Sequence, residues 1–333
     1  QKDLTGTARY VGMGGALEAL GADISTMGTN PAGIGLYKHS AVNVTAGLVS
    51  QANGHDFANG NKTNASFDQG GFVWSTRSGR KSFLNFGFNY SKSRNLDYIL
   101  SASNSVHGGS ISKQSYIKNM LGNVSNGGFS IGKNEQDEYI GYEDAQSTYT
   151  APNFTQLDYL LWNTFIVDPN NQSAGYNEAN RYTFDRAHTG YIGEYDFNLS
   201  GNINDRIFLG LTFGLYDVHY KGNSTYIENL VDHQGANVGT LTLNGNRRIT
   251  GSGVDLKFGA IFRPIETSPF RIGIYVHTPT WYDLTTKNYT TLLNGTQLGG
   301  YDKGNSYESY DFKIFTPWRF GISMGHTVGN YLA

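Results

Sequence analysis

The sequence predicts an all-β fold, a transmembrane antiparallel β-barrel, and three observations lead to this prediction. Apolar and polar residues alternate at period two, as in 253–263, where apolar side chains interleave with Gly253, Asp255, Lys257, Gly259 and Arg263. Such segments are joined by connections that are alternately short and long. Glycine (43), tyrosine (23) and phenylalanine (19) are abundant. An apolar outer face, a charged or glycine-rich inner face and uneven loops are typical of barrels in bacterial outer membranes.

Eight strands are predicted, and the connections between them fall into two classes. The strands are expected at 41–50, 69–76, 82–92, 190–202, 206–218, 249–263, 270–278 and 312–327. Tight turns are expected at 77–81, 203–205, 264–269 and 328–330, and long connections at 51–68, 91–189, 217–248 and 279–311. Because short and long connections alternate, we expect them on opposite sides of a membrane, with the long ones outside.

Composition and motifs exclude several classes of function. No apolar run approaches 18 residues, which argues against membrane-spanning helices. The absence of cysteine excludes disulfides, zinc-thiolate sites and thiol nucleophiles. A net charge of −2 gives no basic footprint for nucleic acid. The eight histidines lack a metal-ligand spacing, and no nucleophile elbow or phosphate-binding loop is found. We therefore expect no enzyme activity, no cofactor and no metal, and we expect that a secretory signal has been removed.

The connection at 91–189 is long enough to require a purpose of its own. Helices are predicted at 112–121 and 153–166, with Asn153 or Thr155 as the cap of the second. The second helix carries apolar residues at steps of three and four: Phe154, Leu157, Leu160, Leu161 and Phe165. These residues either form a patch at the barrel mouth that captures a hydrophobic ligand, or they pack the loop onto its neighbours. The sequence leaves both interpretations open.

The segment before the first strand is built differently. Residues 8–36 are rich in glycine and short apolar pieces without alternation, and we expect residues 1–38 to form a plug inside the barrel formed by 39–333. A dinucleotide-binding loop is excluded because no strand precedes these glycines. The stretches 9–16, 21–26 and 30–34 resemble the N-terminal hatch of the outer-membrane long-chain fatty-acid transporter family (FadL/TodX-like). Residues 191–202, 206–214 and 278–282 resemble its Bacteroidetes-type branch.

The resemblance implies a 14-stranded barrel in the outer membrane, through which hydrophobic molecules such as long-chain fatty acids pass passively. Capture would occur at the outer loops, and the hatch would control passage. Carried over by motif, the hatch would include Gly14, Gly15, Asp23, Asn30, Pro31 and Ala32. Because only eight strands are counted, with a ninth beginning at 331 at most, we expect the chain to be partial. The alternative is a related barrel that does not transport but docks partners in an outer-membrane secretion or assembly complex; a polar porin is a third, weaker option.

Five charged residues are expected on the inner face: Asp255, Lys257, Arg263, Arg271 and Arg319. Their first interpretation is a set of ion pairs that fixes the hatch and lines a wet lumen. In the second interpretation an inward arginine such as Arg319 binds the carboxylate of a fatty acid, because guanidinium binds carboxylate in a bidentate manner. The expected partners are hydrophobic small molecules, outer-membrane lipid or detergent, and other outer-membrane proteins.

Overall fold

The computed structural model describes residues 3–54, 56–57, 60–122, 124–131, 135–136, 153–168, 173–296 and 303–328. These residues form one antiparallel sheet of eleven strands. The all-β prediction is confirmed. The strands are β1 (Ala41–Ser50), β2 (Thr63–Arg77), β3 (Phe83–Asn95), β4 (Tyr98–Gly109), β5 (Glu178–Ile203), β6 (Ile207–Val231), β7 (Asn237–Phe262), β8 (Arg271–His277), β9 (Trp281–Thr296), β10 (Lys303–Phe315) and β11 (Arg319–Gly325).

The eleven strands occupy eight positions in the sheet, because three positions hold two collinear strands. β3 and β4 pair with consecutive parts of β5. β8 and β9 likewise pair with consecutive parts of β7. On their other side, β11 pairs with β8 and β10 pairs with β9. Pro279 and Pro317 lie in two of the breaks, where their missing N–H groups cannot extend a ladder. Each of the eight predicted strands overlaps a strand of the structure, but the eighth, predicted at 312–327, is divided at 316–318 into the end of β10 and β11.

The predicted alternation of short and long connections is wrong for most of the chain. The predicted loop at 217–248 is largely strand, because β6 runs to Val231 and β7 begins at Asn237. In the same way β9 and β10 occupy most of 279–311, and β2 begins at Thr63 inside the predicted loop at 51–68. Even within 91–189, β4 and the first part of β5 are strand. The predicted features at 329–333 lie outside the described residues.

The two faces of the sheet differ, and we name them by their residues. The open face carries large, solvent-exposed apolar side chains in 195–203 of β5, 207–215 of β6 and 254–262 of β7, which we call the band region. These side chains are Phe197, Leu199, Ile203, Ile207, Leu209, Leu211, Phe213, Leu215, Val254, Phe258 and Phe262. The remainder of these strands (178–194, 216–231 and 237–253) is the far region, where few large apolar side chains are exposed on the open face.

The opposite face, the seat face, is covered in the band region by the N-terminal segment. This segment contains a short helix, α1 (Ala8–Gly12), and two 3-10 turns at Ile24–Gly28 and Pro31–Leu36. The second turn contacts β5, β6 and β7. Contact is close because the strands present glycines: a Cβ on Gly210 would lie 2.3 Å from the carbonyl carbon of Pro31. The sequence thus leaves out side chains where two backbones meet.

Two helices cover the seat face in the far region. α2 (Ile111–Met120) follows β4, and α3 (Gln156–Leu161) continues into one π-helical turn at Trp162–Ile166. Buried apolar residues of α3 and of the π-helical turn form an apolar cluster with Leu230, Leu241 and Leu292 of the strands beneath, and Ile111 and Tyr116 of α2 pack against it. Among the described residues no helix has the length and apolar character needed to cross a membrane.

Candidate functional site

A cluster of charged side chains is buried on the seat face where the band region meets the far region. The ammonium of Lys257 lies 2.5 Å from Asp196 Oδ1, 2.8 Å from Glu194 Oε1 and 3.2 Å from Asp255 Oδ1. The side chain of Lys257 is fully buried, and each carboxylate is at most 2 % exposed. We call these residues, together with Tyr216, the lysine cluster.

Tyr216 joins two carboxylates of the lysine cluster. Its hydroxyl lies 2.7 Å from Asp255 Oδ2 and 2.9 Å from Glu194 Oε1, and Nζ of Lys257 lies 5.4 Å from the centre of its ring. A phenol has one hydrogen, so it donates to one carboxylate at a time. The hydroxyl of Thr280 also donates to Asp255, at 3.2 Å. The cluster therefore draws groups from β5, β6, β7 and the break between β8 and β9.

Strand register explains why these side chains meet. Asp196 pairs with Gly214 on β6, and Gly214 pairs with Asp255 on β7, so two carboxylates flank a glycine in one row. A Cβ on Gly214 would lie 2.3 Å from Asp255 Oδ1 and 2.7 Å from Lys257 Nζ. Because Gly214 has no side chain, the ammonium of Lys257 and the carboxylate of Asp255 can occupy the space above it.

The chemistry of the lysine cluster is structural and electrostatic. Charges withdrawn from water are stable only when they are paired and hydrogen-bonded, and the cluster supplies both. In the described residues no group of three or more histidine, cysteine, aspartate or glutamate side chains is arranged to hold a metal ion. The ammonium of Lys257 occupies the centre of the carboxylates, where a cation would otherwise be needed.

The predicted hatch residues lie in the N-terminal segment on the seat face. Asp23 is buried and caps the first 3-10 turn: its Oδ1 accepts from the N–H of Ser25 at 3.0 Å, and its Oδ2 accepts from the hydroxyl of Thr7 at 2.6 Å. Gly14 and Gly15 have φ angles of 61° and 82°, a left-handed conformation that favours glycine. Asp23 and the two glycines therefore define the local shape of the segment.

Asn30, Pro31 and Ala32 form the contact between the segment and the sheet. Asn30 is fully buried, and its Oδ1 accepts from the N–H of Ala32 at 3.2 Å as a cap of the second 3-10 turn. The carbonyl of Pro31 accepts from Nδ2 of Asn198 on β5 at 3.3 Å. The three predicted residues are therefore together, and they face a strand surface built of Gly210 and Gly259.

The five predicted inner charges do not form one ladder. Asp255 and Lys257 belong to the lysine cluster, but Arg263 donates to the carbonyls of Ser268 and Glu266 in the turn after β7. Arg271 donates to the carbonyl of Leu20, 2.5 Å away, and so holds the N-terminal segment. Arg319 lies at the start of β11, opposite His277. Arg263 and Arg271 thus donate to main-chain carbonyls. The ion-pair interpretation of the inner charges stays a prediction for them.

The predicted capture patch is mostly buried. Leu160, Leu161 and Phe165 are at most 1 % exposed, and they pack in the apolar cluster under the helices. Phe154 and Leu157 are partly buried at its edge. This placement fits the packing interpretation for the first three residues. A capture role for the patch stays a prediction.

Asp158 ties α3 to α2 above this cluster. Its carboxylate accepts from Ser115 at 2.6 Å and from Lys118, and it completes a capping box with Thr155, the cap residue of α3. Burial alone would raise the pKa of Asp158, but the hydrogen bonds from Lys118, Ser115 and Thr155 outweigh burial and lower the pKa below its ordinary value. The hydrogen bonds that join α3 to α2 through Asp158 are therefore strongest when its carboxylate is ionised.

An apolar concavity lies on the other side of the sheet. A groove of about 720 Å³ on the open face is lined by Leu199, Leu209, Leu211, Phe258, Ile274 and Phe320. It lies directly behind Gly210 and Gly259, which carry the N-terminal segment on the seat face. At these glycines only the backbone of the sheet separates the apolar groove from the N-terminal segment.

Sequence reasoning did not single out Glu194, Tyr216 and Thr280 as members of a site. Glu194 and Tyr216 were nevertheless detectable, because they share the parity of Asp196 and Gly214 along their strands. Thr280 follows Pro279 in a break between strands, and no periodic pattern covers it.

Comparisons of the chain with protein-family models, with curated proteins and with solved structures found no match.

Proposed function

We propose that the chain forms wall and hatch of a bacterial outer-membrane barrel for passive uptake of hydrophobic compounds such as long-chain fatty acids. One observation carries the proposal. The same strand stretches expose apolar side chains on the open face and seat the N-terminal segment on the other. A lipid-facing wall with material packed on its inner side has this pattern. The resemblance of the N-terminal segment to the fatty-acid transporter hatch supplies the substrate class.

The length of the band region agrees with a lipid bilayer. In each of β5, β6 and β7 the band region comprises nine residues (195–203, 207–215 and 254–262). A membrane-spanning strand needs about 9–11 residues. The far region then stands outside the bilayer, carrying polar side chains on both faces and the helices on the seat face.

Movement of the N-terminal segment is proposed to control passage. A disulfide that locks the segment to the sheet tests this directly, because the natural chain has no cysteine. The Cβ of Ala19 lies 3.5 Å from the position that a Cβ on Gly325 would take. Disulfide-linked Cβ atoms are typically about 3.5–4.5 Å apart. Ala19→Cys combined with Gly325→Cys is therefore the variant of choice.

The experiment measures entry of oleate into proteoliposomes that contain this double variant. We expect entry to be slow after oxidation and to recover with reductant, while each single-cysteine variant is insensitive to both treatments. Entry that is equally fast in the oxidised and reduced double variant would show that this segment does not gate. Absence of oleate entry in every form, with correct insertion, would reject transport.

The partner-docking alternative is favoured by one specific observation, the burial of Leu160, Leu161 and Phe165. A captured hydrophobic ligand needs an accessible surface, whereas a scaffold needs only a well-packed platform. Isolation of the protein from outer membranes tests this alternative. A second protein recovered at fixed stoichiometry, together with no oleate entry, would favour the scaffold.

A further inference from the structure

A second cavity, of about 330 Å³, lies in the far region on the seat face. It is bordered by α3 and by β5, β6, β7, β9 and β10. The residues that matter for its chemistry are Gln156, Arg186, His188, Arg247, Asn288 and Glu308. Unlike the apolar groove on the open face, this cavity has a mainly polar lining, and no other site described above includes it.

Strand register creates the cavity. His188 on β5 pairs with Gly222 on β6, which pairs with Arg247 on β7. The row continues through Asn288 on β9 to Glu308 on β10. Cationic or polar side chains thus stand on both sides of Gly222, and the Tyr220 ring lies over this glycine, so that both residues line the cavity.

Two guanidinium groups supply donors to this cavity. Nε of Arg186 is buried and has no hydrogen-bond partner among the residues that the structure describes. Nε of Arg247 donates to Oδ1 of Asn288 at 2.9 Å, which fixes the guanidinium at the rim. A buried guanidinium N–H without an acceptor is costly, so an acceptor supplied by a ligand would be favourable here.

The charges that face the cavity leave it positive. Arg186 and Arg247 are cationic, and the single carboxylate of the described lining is Glu308. Glu308 is exposed and accepts from Nδ2 of Asn288 at 3.1 Å. Burial, together with the neighbouring Arg186 and Arg247, lowers the pKa of His188. Tyr220 from β6 is the remaining titratable group of the lining.

We propose that this cavity binds a compact oxyanion, of the carboxylate or phosphate class, between the guanidinium groups of Arg186 and Arg247. Guanidinium matches both classes through paired N–H donors. The polar lining and small volume suit an anion or a head group and do not suit an acyl chain. His188 and Asn288 add donors at the side of the site.

The test is calorimetric titration of the full chain in detergent micelles with inorganic phosphate and, separately, with acetate, at constant ionic strength in chloride. We expect saturable binding that weakens about tenfold or more in Arg186→Gln and in Arg247→Gln. Arg181→Gln is the matched control, because Arg181 is an exposed arginine on β5, the strand of Arg186, and donates to Ser103. Arg247 is itself exposed, so its variant remains informative if Arg186→Gln fails to fold.

Each outcome has a defined meaning. Binding of phosphate alone assigns the phosphate class. Binding of acetate that depends on the two arginines, with a higher affinity for dodecanoate than for acetate, assigns the carboxylate of an amphiphilic acid. Acetate affinity should rise as pH falls through the pKa of His188, and this rise should vanish in His188→Asn. No saturable binding of either anion, or equal affinity in all three arginine variants, would overturn the proposal. None of these results depends on whether the chain transports hydrophobic compounds.

Discussion

The band region and the far region belong to the same strands but are stabilised differently. Both alternate at period two, and both bury their seat face. In the band region the open face is apolar, as at Leu211, and the seat face meets backbone through Gly210. In the far region the open face carries polar residues such as Asn223, and the seat face packs on helices through Leu230. One ladder of backbone hydrogen bonds therefore crosses two environments.

This difference shows that strand continuity and side-chain environment are specified separately. Backbone pairing between β5 and β6 keeps one register from Ile203 to Arg181. The register does not change where the outward residues change from apolar to polar. The lysine cluster lies on the seat face at the border between the two regions. We therefore expect substitutions to separate the two regions by the size and the sign of their effects.

The largest effect is expected from Lys257→Met at the border. The substitution leaves three buried carboxylates without their cation, and removal of one partner from a buried ion pair costs about 3–5 kcal/mol. Unfolding in denaturant, followed by tryptophan fluorescence, measures the change. Lys313→Met is the control, because Lys313 is 67 % exposed and lies 4.0 Å from Asp283. Equal stability of the two variants would mean that the lysine cluster does not hold the border together.

The next largest effect is expected in the far region from Leu161→Ala. Leu161 is fully buried in the cluster that joins α3 to the strands. Truncation of a buried leucine costs about 2–5 kcal/mol, because it removes apolar contact and leaves a cavity. The same truncation at Leu121, which is 44 % exposed at the end of α2, should cost far less. Proteolysis between 110 and 177 would report selective loosening of the helices, and unchanged cleavage in Leu161→Ala would contradict the assigned packing.

The third prediction compares the two regions on the open face of one strand. Leu211 lies at the middle of 207–215, and an arginine at the midplane of a bilayer costs about 2–4 kcal/mol. Asn223 has the same parity on β6 but lies in the far region, so Asn223→Arg should be nearly neutral. Unfolding from lipid vesicles in urea measures both variants. If Leu211→Arg is as stable as Asn223→Arg, the band region does not face lipid.

The sequence predicted the strands best where this contrast is strongest. Apolar residues at 207–215 and 254–262 alternate clearly, and β6 and β7 were found there. From Asp217 to Thr225 the outward residues are polar, so the hydrophobic pattern ends although the strand continues to Val231. Pattern reports the environment of a strand, not its length.

The candidate site was predictable only in part for a related reason. Asp255 and Lys257 were placed on the inner face by parity alone. Their meeting with Asp196 depends on the register between β6 and β7, which the turn between Val231 and Asn237 sets. Because that turn was taken for a long loop, the row through Gly214 could not be derived. Likewise, the helical period of Leu160 and Leu161 gave the helix but not the surface that buries it.

The fourth prediction concerns the seat face of the band region. Gly210→Ala places a Cβ 2.3 Å from the carbonyl carbon of Pro31, so the N-terminal segment must shift. Overpacking of this kind typically costs about 1–3 kcal/mol. Gly201→Ala on neighbouring β5 is the control, because Gly201 pairs with Leu209 and so lies on the open face, where nothing is within 4 Å of its added Cβ. Protease cleavage within the N-terminal segment should increase in the first variant and stay unchanged in the second; equal cleavage would mean that the segment is not seated on Gly210.

The smallest effect is expected from a buried carboxyl in the far region, Glu228 of β6. It accepts from the N–H of Ile111, the first residue of α2, at 3.0 Å and from the hydroxyl of Tyr226 at 2.9 Å. Burial raises the pKa of Glu228 above its ordinary value, and these two hydrogen bonds offset only part of the increase. The folded state therefore retains a proton at pH values where the unfolded state has lost it.

The free energy of unfolding should then fall as pH rises from the unfolded pKa of Glu228 through its higher folded pKa. Glu228→Gln keeps an acceptor for Ile111 and Tyr226 but cannot ionise, so its stability should fall less steeply as pH rises above the ordinary pKa of a glutamate. Asp158, whose pKa is lowered, contributes its own dependence at lower pH and with opposite sign. Denaturant unfolding across this pH range, with exposed Glu308→Gln as the control for loss of one charge, measures the slope. If the free energy of unfolding depends on pH in the same way for Glu228→Gln and for the unmodified chain, the pKa of Glu228 is not raised in the folded state.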